Sequence, residues 1–249
     1  MPVLNPEQSH THALETLKTL NRYADFLDNI ETVADMGCGL GYDALWWASL
    51  AKDDGTPRNI TVQAFDLIID PNVLQKHANI KYNHSDYTVT GLAKETVDFV
   101  WAHNSFQYTL SPIHTLLHWW DIMKTDAMLL ISVPYNFGID KHRDIEKVDI
   151  EHSFGSYFNW SLGNLIMILA ATGFDVRNSH FRFDRTNGWI QAAVYKLPGK
   201  PQPSMNWYDM CDQKMLPISI ESAILKKGTF NDTDIVCDWI DRSQYILAV

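Results

Sequence analysis

Residues 32–41 read Thr32-Val33-Ala34-Asp35-Met36-Gly37-Cys38-Gly39-Leu40-Gly41. A short β-branched and apolar run breaks here into three glycines at alternate positions, which predicts a strand over 32–36 followed by a turn too tight for most side chains. Residues 42–52 carry Leu45, Ala48 and Ala51 on one side and predict a helix. Free N–H groups and the positive dipole end at the start of such a helix suit an anionic or polar ligand group. Two phosphate-binding readings fail on spacing. A dinucleotide loop needs G-x-G-x-x-G, and Tyr42 stands where its last glycine belongs; a P-loop needs Gly-Lys-Ser/Thr, which does not follow.

Outward from the glycines the same alternation continues. Further strands are expected at 60–65, ending beside Asp66, and at 80–83, 97–102 and 127–133, with helices at 71–77 and 113–123. Strands separated by helices imply parallel pairing with right-handed crossovers, hence a doubly wound α/β sheet. After a helix at 162–172, the pattern changes to two strands, 174–183 and 189–196, around Arg185-Thr186-Asn187-Gly188. Asn-Gly between strands is a strong hairpin signal, so seven strands are expected, mostly parallel and closed by an antiparallel hairpin. Residues 11–27 read as an amphipathic helix ahead of the sheet. Residues 198–203 read as a linker, followed by helices at 217–227 and from Asp232 that pack back on the main domain.

The chain has 249 residues, a net charge of -10 and 46% hydrophobic residues. That composition excludes disordered and fibrous classes. The negative balance, with no dense basic run, argues against nucleic acid as a partner, because such affinity comes mainly from Lys and Arg at phosphates. Three cysteines (Cys38, Cys211 and Cys237) without C-x-x-C fit a reducing compartment and no structural zinc. No signal-peptide pattern opens the sequence, and the apolar stretch 162–171 is shorter than the ~20 residues that span a bilayer. The expectation is a cytoplasmic protein without a membrane segment; the oligomeric state is left open.

The segment Val33 to Gly41 resembles the first motif of class I S-adenosylmethionine-dependent methyltransferases, and the order of elements agrees across residues 30–196. The resemblance implies a Rossmann-like methyltransferase fold with S-adenosyl-L-methionine as cofactor. Residues 30–197 would form the cofactor-binding domain, 1–29 an N-terminal lid, 137–160 a substrate insert and 198–249 a helical extension. By the same resemblance Gly37, Cys38, Gly39 and Gly41 wrap the methionine part, and Asp35 meets its amino group. The resemblance implies that Asp66, which the strand pattern favours over Asp70, would accept from the ribose hydroxyls. The resemblance also implies that Asp86 would accept from the adenine amino group and that Leu67 and Tyr87 could sandwich the base.

Chemistry in an open α/β sheet sits at the carboxyl ends of its strands. The fourth strand ends Trp101-Ala102-His103-Asn104, which makes His103 the candidate base for an acceptor that must lose a proton. A histidine that only shapes the pocket fits the same position. Asn104, Tyr108 and Tyr135 are candidate substrate contacts. The Asp/Asn-Pro-Pro-Tyr/Phe signature of enzymes that methylate planar amino groups is absent after strand four. No residue spacing calls for a metal. The aromatic insert (Phe154, Tyr157, Phe158, Trp160) suits a small organic acceptor, and equally suits packing of the insert on itself. The function expected is methyl transfer to O, N or C of a small molecule. The competing readings are a non-catalytic cofactor-binding partner and an RNA or protein methyltransferase.

Overall fold

Valine, phenylalanine and tryptophan crowd the run Val97-Asp98-Phe99-Val100-Trp101, and it becomes the middle of the sheet. The structure, a computed structural model, describes residues 27–72, 74–134, 160–184, 189–199 and 201–229. Within them lie β1 (Thr32–Met36), α1 (Tyr42–Ala48), β2 (Thr61–Asp66), β3 (Ile80–His84), β4 (Val97–His103), a 3-10 turn (Phe106–Tyr108) and α2 (Pro112–Ile122). They continue with β5 (Met123–Pro134), α3 (Leu162–Ala171), β6 (Phe174–Asp184), β7 (Trp189–Lys196), α4 (Trp207–Asp212) and α5 (Ile218–Lys227). One seven-stranded sheet has the order β3-β2-β1-β4-β5-β7-β6. The first five strands pair in parallel, and β7 runs antiparallel to both β5 and β6. This is the doubly wound sheet with a closing hairpin that the alternation predicts. The hairpin turn 185–188, the amphipathic stretch up to residue 26 and the helix expected from Asp232 lie outside the described residues.

Strand pleating divides the core. One layer under α1 holds Val33, Val62, Ala64, Phe99, Trp101, Leu130 and Trp47. The opposite layer, under α2 and α3, holds Ala34, Met36, Phe65, Val100, Ala102, Leu129 and Ile131. Because side chains alternate along a strand, the residues that follow Val33, Ala64 and Trp101 by two, namely Asp35, Asp66 and His103, fall on the α1 side. Periodicity of two therefore delivers three chemically active side chains to one face and one end of the sheet.

Two expected helices differ in the structure. Residues 71–77 are not helical where described: Asp70 Oδ1 accepts from both the backbone and side-chain nitrogens of Asn72 (2.9 Å each), an Asx turn that competes with helix initiation. The helix after the glycines stops at Ala48 instead of reaching 52. Arg58 N–H instead donates to Leu50 C=O (2.9 Å) and Lys52 N–H to Thr56 C=O (2.8 Å), so the segment turns back on itself. One short helix, α4, was not expected. Its signal is a capping box in which the Asn206 side chain accepts from the Asp209 amide while Asp209 accepts from that of Asn206.

Met205, Met210, Cys211, Leu216, Ile220 and Ile224, around α4 and α5, belong to the same apolar layer as α2 and α3. Glu221 fastens this segment to β6, taking Arg177 Nη1 at 3.0 Å and Lys214 Nζ at 2.7 Å. Among the described residues no helix is long and apolar enough to cross a membrane.

Trp47 is fully buried and packs edge-on against Phe99 and Trp101, with ring centroids 4.9 and 5.4 Å away. Trp47→Ala is expected to remove about 3–5 kcal/mol of unfolding free energy in urea denaturation. Trp47→Phe, which deletes a buried indole N–H that has no acceptor, is expected to lose less.

Candidate functional site

The three glycines all adopt positive φ, at 83°, 51° and 80° for Gly37, Gly39 and Gly41. Gly37 is required by contact: a Cβ there would collide with the Cβ of Ser105, at the end of β4. Gly39 is different, since a Cβ built on it meets nothing within 4 Å. Its backbone faces open space at the mouth of the loop. The loop is strapped to β2, whose Phe65 carbonyl accepts from the amides of Gly37 (2.8 Å) and Cys38 (2.9 Å). Cys38 is a buried free thiol held as the neutral form by its burial and by the charge of Asp35.

Three carboxylates crowd this turn. Asp66 accepts the Gly39 amide on Oδ2 (2.8 Å) and the Ile68 amide on Oδ1 (2.9 Å), so it fixes the shape of the loop from the side. Asp35 is 2% exposed, and its Oδ2 is buried with no hydrogen-bond partner. Burial first, and then the charges of Asp43 and Asp66, raise its carboxyl well above the ordinary range, against one amide bond from Ala44. A desolvated acid with an unused oxygen, repelled by its acidic neighbours, favours a cationic ligand group beside it.

Asp86 lies beyond β3, exposed, with Thr88 N–H on its Oδ1 at 2.8 Å. Near the two strand ends Leu67 and Ile68 stand 60% and 80% exposed and Val89 63% exposed, an apolar rim around polar groups. Tyr87 differs from Leu67. It is 8% exposed, its hydroxyl donates to the Ser105 carbonyl (2.9 Å), and its ring packs 6.0 Å from that of Trp119. The ring expected to cover a planar base is thus largely committed to the core, where it props Ser105 against Gly37.

His103 closes β4, nearly buried, and its Nδ1 lies 3.1 Å from Asp43 Oδ2. The same oxygen accepts Trp101 Nε1 at 2.8 Å. Asp43, in the first turn of α1, was missed by sequence reading; the only signal was an acid two residues past the last glycine. Asn104 takes a left-handed conformation (φ 53°) and donates its amide to Ser132 C=O at 2.8 Å. Its side-chain oxygen is taken by Gln107 Nε2 at 2.7 Å, and Gln107 Oε1 is left buried without a partner. Asn104 therefore shapes the rim through its backbone, while Tyr108 is 40% exposed beside it. Strand register adds a row invisible in the sequence: His103 pairs with Ser132, Ser132 with Gln191, and Gln191 with Arg182. All four are buried, an unusual density of polar side chains across four strands. Tyr135 and all of the insert 137–160 except Trp160 lie outside the described residues. Trp160 stacks on Phe106 at 5.1 Å. Among the described residues no three His, Cys, Asp or Glu side chains converge as a metal site requires.

No family model matches the sequence, and no curated protein matches it. Solved structures do. A Haloferax volcanii protein described as a methyltransferase, in complex with the Trm112 methyltransferase activator, is 17% identical with a TM-score of 0.53, over 77% of this chain and 94% of that one. The 1,6-didemethyltoxoflavin-N1-methyltransferase of Burkholderia thailandensis, solved with bound 1,6-didemethyltoxoflavin and S-adenosylhomocysteine, is 13% identical with a TM-score of 0.52, over 79% and 92%. The [4+2]-cyclase SpnF is 13% identical with a TM-score of 0.51, over 72% and 81%. At these identities the likeness establishes the fold, which is that of class I S-adenosylmethionine-dependent methyltransferases. The cyclase shows that this fold also carries other chemistry.

The Asp35 carboxyl provides a test in the ligand-free protein. Its raised folded value means stability is lost as pH climbs from its ordinary value of 3.8 through that raised value, since the folded state then gives up a proton it holds more tightly than the unfolded chain does. Asp35→Asn keeps an acceptor for the Ala44 amide and removes the buried charge. Thermal melts are expected to show the variant a few degrees more stable than wild type at pH 8, with the difference shrinking toward pH 4.5.

Proposed function

We propose that this chain binds S-adenosyl-L-methionine and transfers its methyl group to a small organic molecule. The observation that carries the reading is the orphaned, buried Asp35 oxygen beside a glycine loop whose Gly39 faces open space. That pair fits an ammonium group carried on a compact amino-acid chain. Asp66 would take the ribose hydroxyls, since an ionised carboxylate has acceptor positions beyond the two amides it already holds. Asp86 with Leu67, Ile68 and Val89 would receive a planar base, whose apolar faces match exposed apolar side chains and whose amino group matches a carboxylate. When bound, the cofactor supplies an electrophilic methyl on a positively charged sulfur.

The chain's own residues would do the remainder. The glycine loop and Asp66 orient the ligand and hold it at the carboxyl ends of β1, β2 and β4. His103 accepts the proton of an acceptor O–H or N–H. Ser132, beside His103 in register, and Asn104, through its backbone, would border the acceptor, with Tyr108, Tyr135, the segment 1–29 and the insert 137–160 as further walls. An acceptor held there reacts at a rate set mainly by alignment and by exclusion of water. Net charge -10 supports a small molecule over RNA as acceptor, since a polyanion would meet an acidic surface. The free thiols Cys38 and Cys211 agree with a reducing, cytoplasmic setting.

Calorimetry on the folded protein tests the cofactor. S-Adenosylmethionine and S-adenosylhomocysteine are both expected to bind, and Gly39→Val is expected to abolish binding by filling the open face. Asp66→Ala is expected to weaken it about 10–100-fold, the worth of a hydrogen bond to a charged group. Absence of heat with either compound on well-folded wild type would overturn the proposal. Binding without turnover of any acceptor would favour a cofactor-binding partner, and salt-sensitive affinity for RNA would favour the polynucleotide reading.

A further inference from the structure

Trp101 and His103 are two residues apart on β4 and so project to the same face, where the first turn of α1 presents Asp43 to both. One carboxylate oxygen, Asp43 Oδ2, lies 2.8 Å from Trp101 Nε1 and 3.1 Å from His103 Nδ1. The indole N–H is only a donor, so this oxygen accepts from Trp101; as an ionised carboxylate oxygen it also accepts from His103. The Trp101 ring is fully buried, 5.4 Å from Trp47, 5.9 Å from Phe99 and 6.4 Å from Trp46 between ring centroids. It has no room to swing, and it anchors the carboxylate. The Trp189 ring also lies 5.9 Å from the imidazole at a 38° tilt, which limits rotation of His103.

We infer that Asp43 is a positioning residue that holds His103 in one tautomer, with the proton on Nδ1 and the lone pair on Nε2. A carboxylate oxygen cannot donate, so a neutral His103 keeps its bond to Asp43 only by placing its proton on Nδ1. Nε2 is then a pure acceptor, held in a single orientation by the indole and the carboxylate. The use of this arrangement rests on the methyl-transfer reading. His103 Nε2 takes the proton that an acceptor O–H or N–H releases while that oxygen or nitrogen forms its bond to the methyl carbon. The carbon–sulfur bond breaks with its electron pair retained by sulfur, which leaves a neutral thioether. Asp43 balances the imidazolium so formed. The arrangement favours acceptors that must shed a proton over tertiary amines and thioethers, which need no base.

The test reads the ring nitrogens directly. Long-range proton–nitrogen spectra of the full chain labelled with nitrogen-15, at a pH where the imidazole is neutral, report which nitrogen carries hydrogen; His103→Gln assigns the signals. Wild type is expected to show the proton on Nδ1. Asp43→Ala is expected to move the major form to Nε2–H, the tautomer free imidazole side chains prefer in water, and to shift the Trp101 indole N–H signal. A wild-type proton on Nε2, or an unchanged tautomer in Asp43→Ala, overturns the inference. Should Asp43→Ala not fold, the wild-type tautomer decides: hydrogen on Nδ1 upholds the assignment and hydrogen on Nε2 removes it. None of these spectra needs a cofactor, so failure here is distinct from failure of S-adenosylmethionine to bind.

Discussion

The close approach of Gly37 to Ser105 is the constraint on which the site hangs. The turn after β1 passes so near the end of β4 that no side chain fits between them. Two amides of that turn are fixed to the Phe65 carbonyl of β2, and a third is fixed to Asp66. Three strand ends are thereby locked around one bend. Tyr87 completes the clamp from behind, because its hydroxyl holds the Ser105 carbonyl and its ring leans on Trp119. A rigid bend of this kind is what a preorganised small-ligand site requires.

Once the bend is built, its electrostatics follow. Asp35, Asp43 and Asp66 converge where one helix begins and two strands end. The α1 dipole helps to hold negative charge there, and burial works against it. Burial and the charges of Asp43 and Asp66 raise the Asp35 carboxyl well above its ordinary range. Acids perturbed in this way cluster at functional sites. Asp43 is tied into a different arrangement, with Trp101 and His103.

Most of the fold was readable because its signals are local. The strand–glycine–helix unit, the apolar runs at β4 and β5 and the Asn-Gly between β6 and β7 each depend on neighbours within a few residues. Where local reading failed, a competing short-range bond or a long-range pairing decided. Asp70 captured Asn72 and displaced a helix at 71–77. The pairing of Leu50 and Lys52 with Arg58 and Thr56 cut α1 short. The box formed by Asn206 and Asp209 was legible in principle, but its helix is only six residues long and carries little periodicity.

The amino-acid order alone determined the layer architecture, the tight bend and the presence of acids at three successive strand ends, because each follows from backbone preference or from an alternation of two or 3.6 residues. Tertiary structure alone decided which of those groups meet. Asp43 and His103 are 60 positions apart, and strand register alone sets Ser132 beside His103 and Gln191 beside Ser132. Tyr87 turned inward because Ser105 and Trp119 offered it an acceptor and a ring. Such contacts are set by how distant segments share space once entropy has been overcome by burial, and no local pattern encodes them.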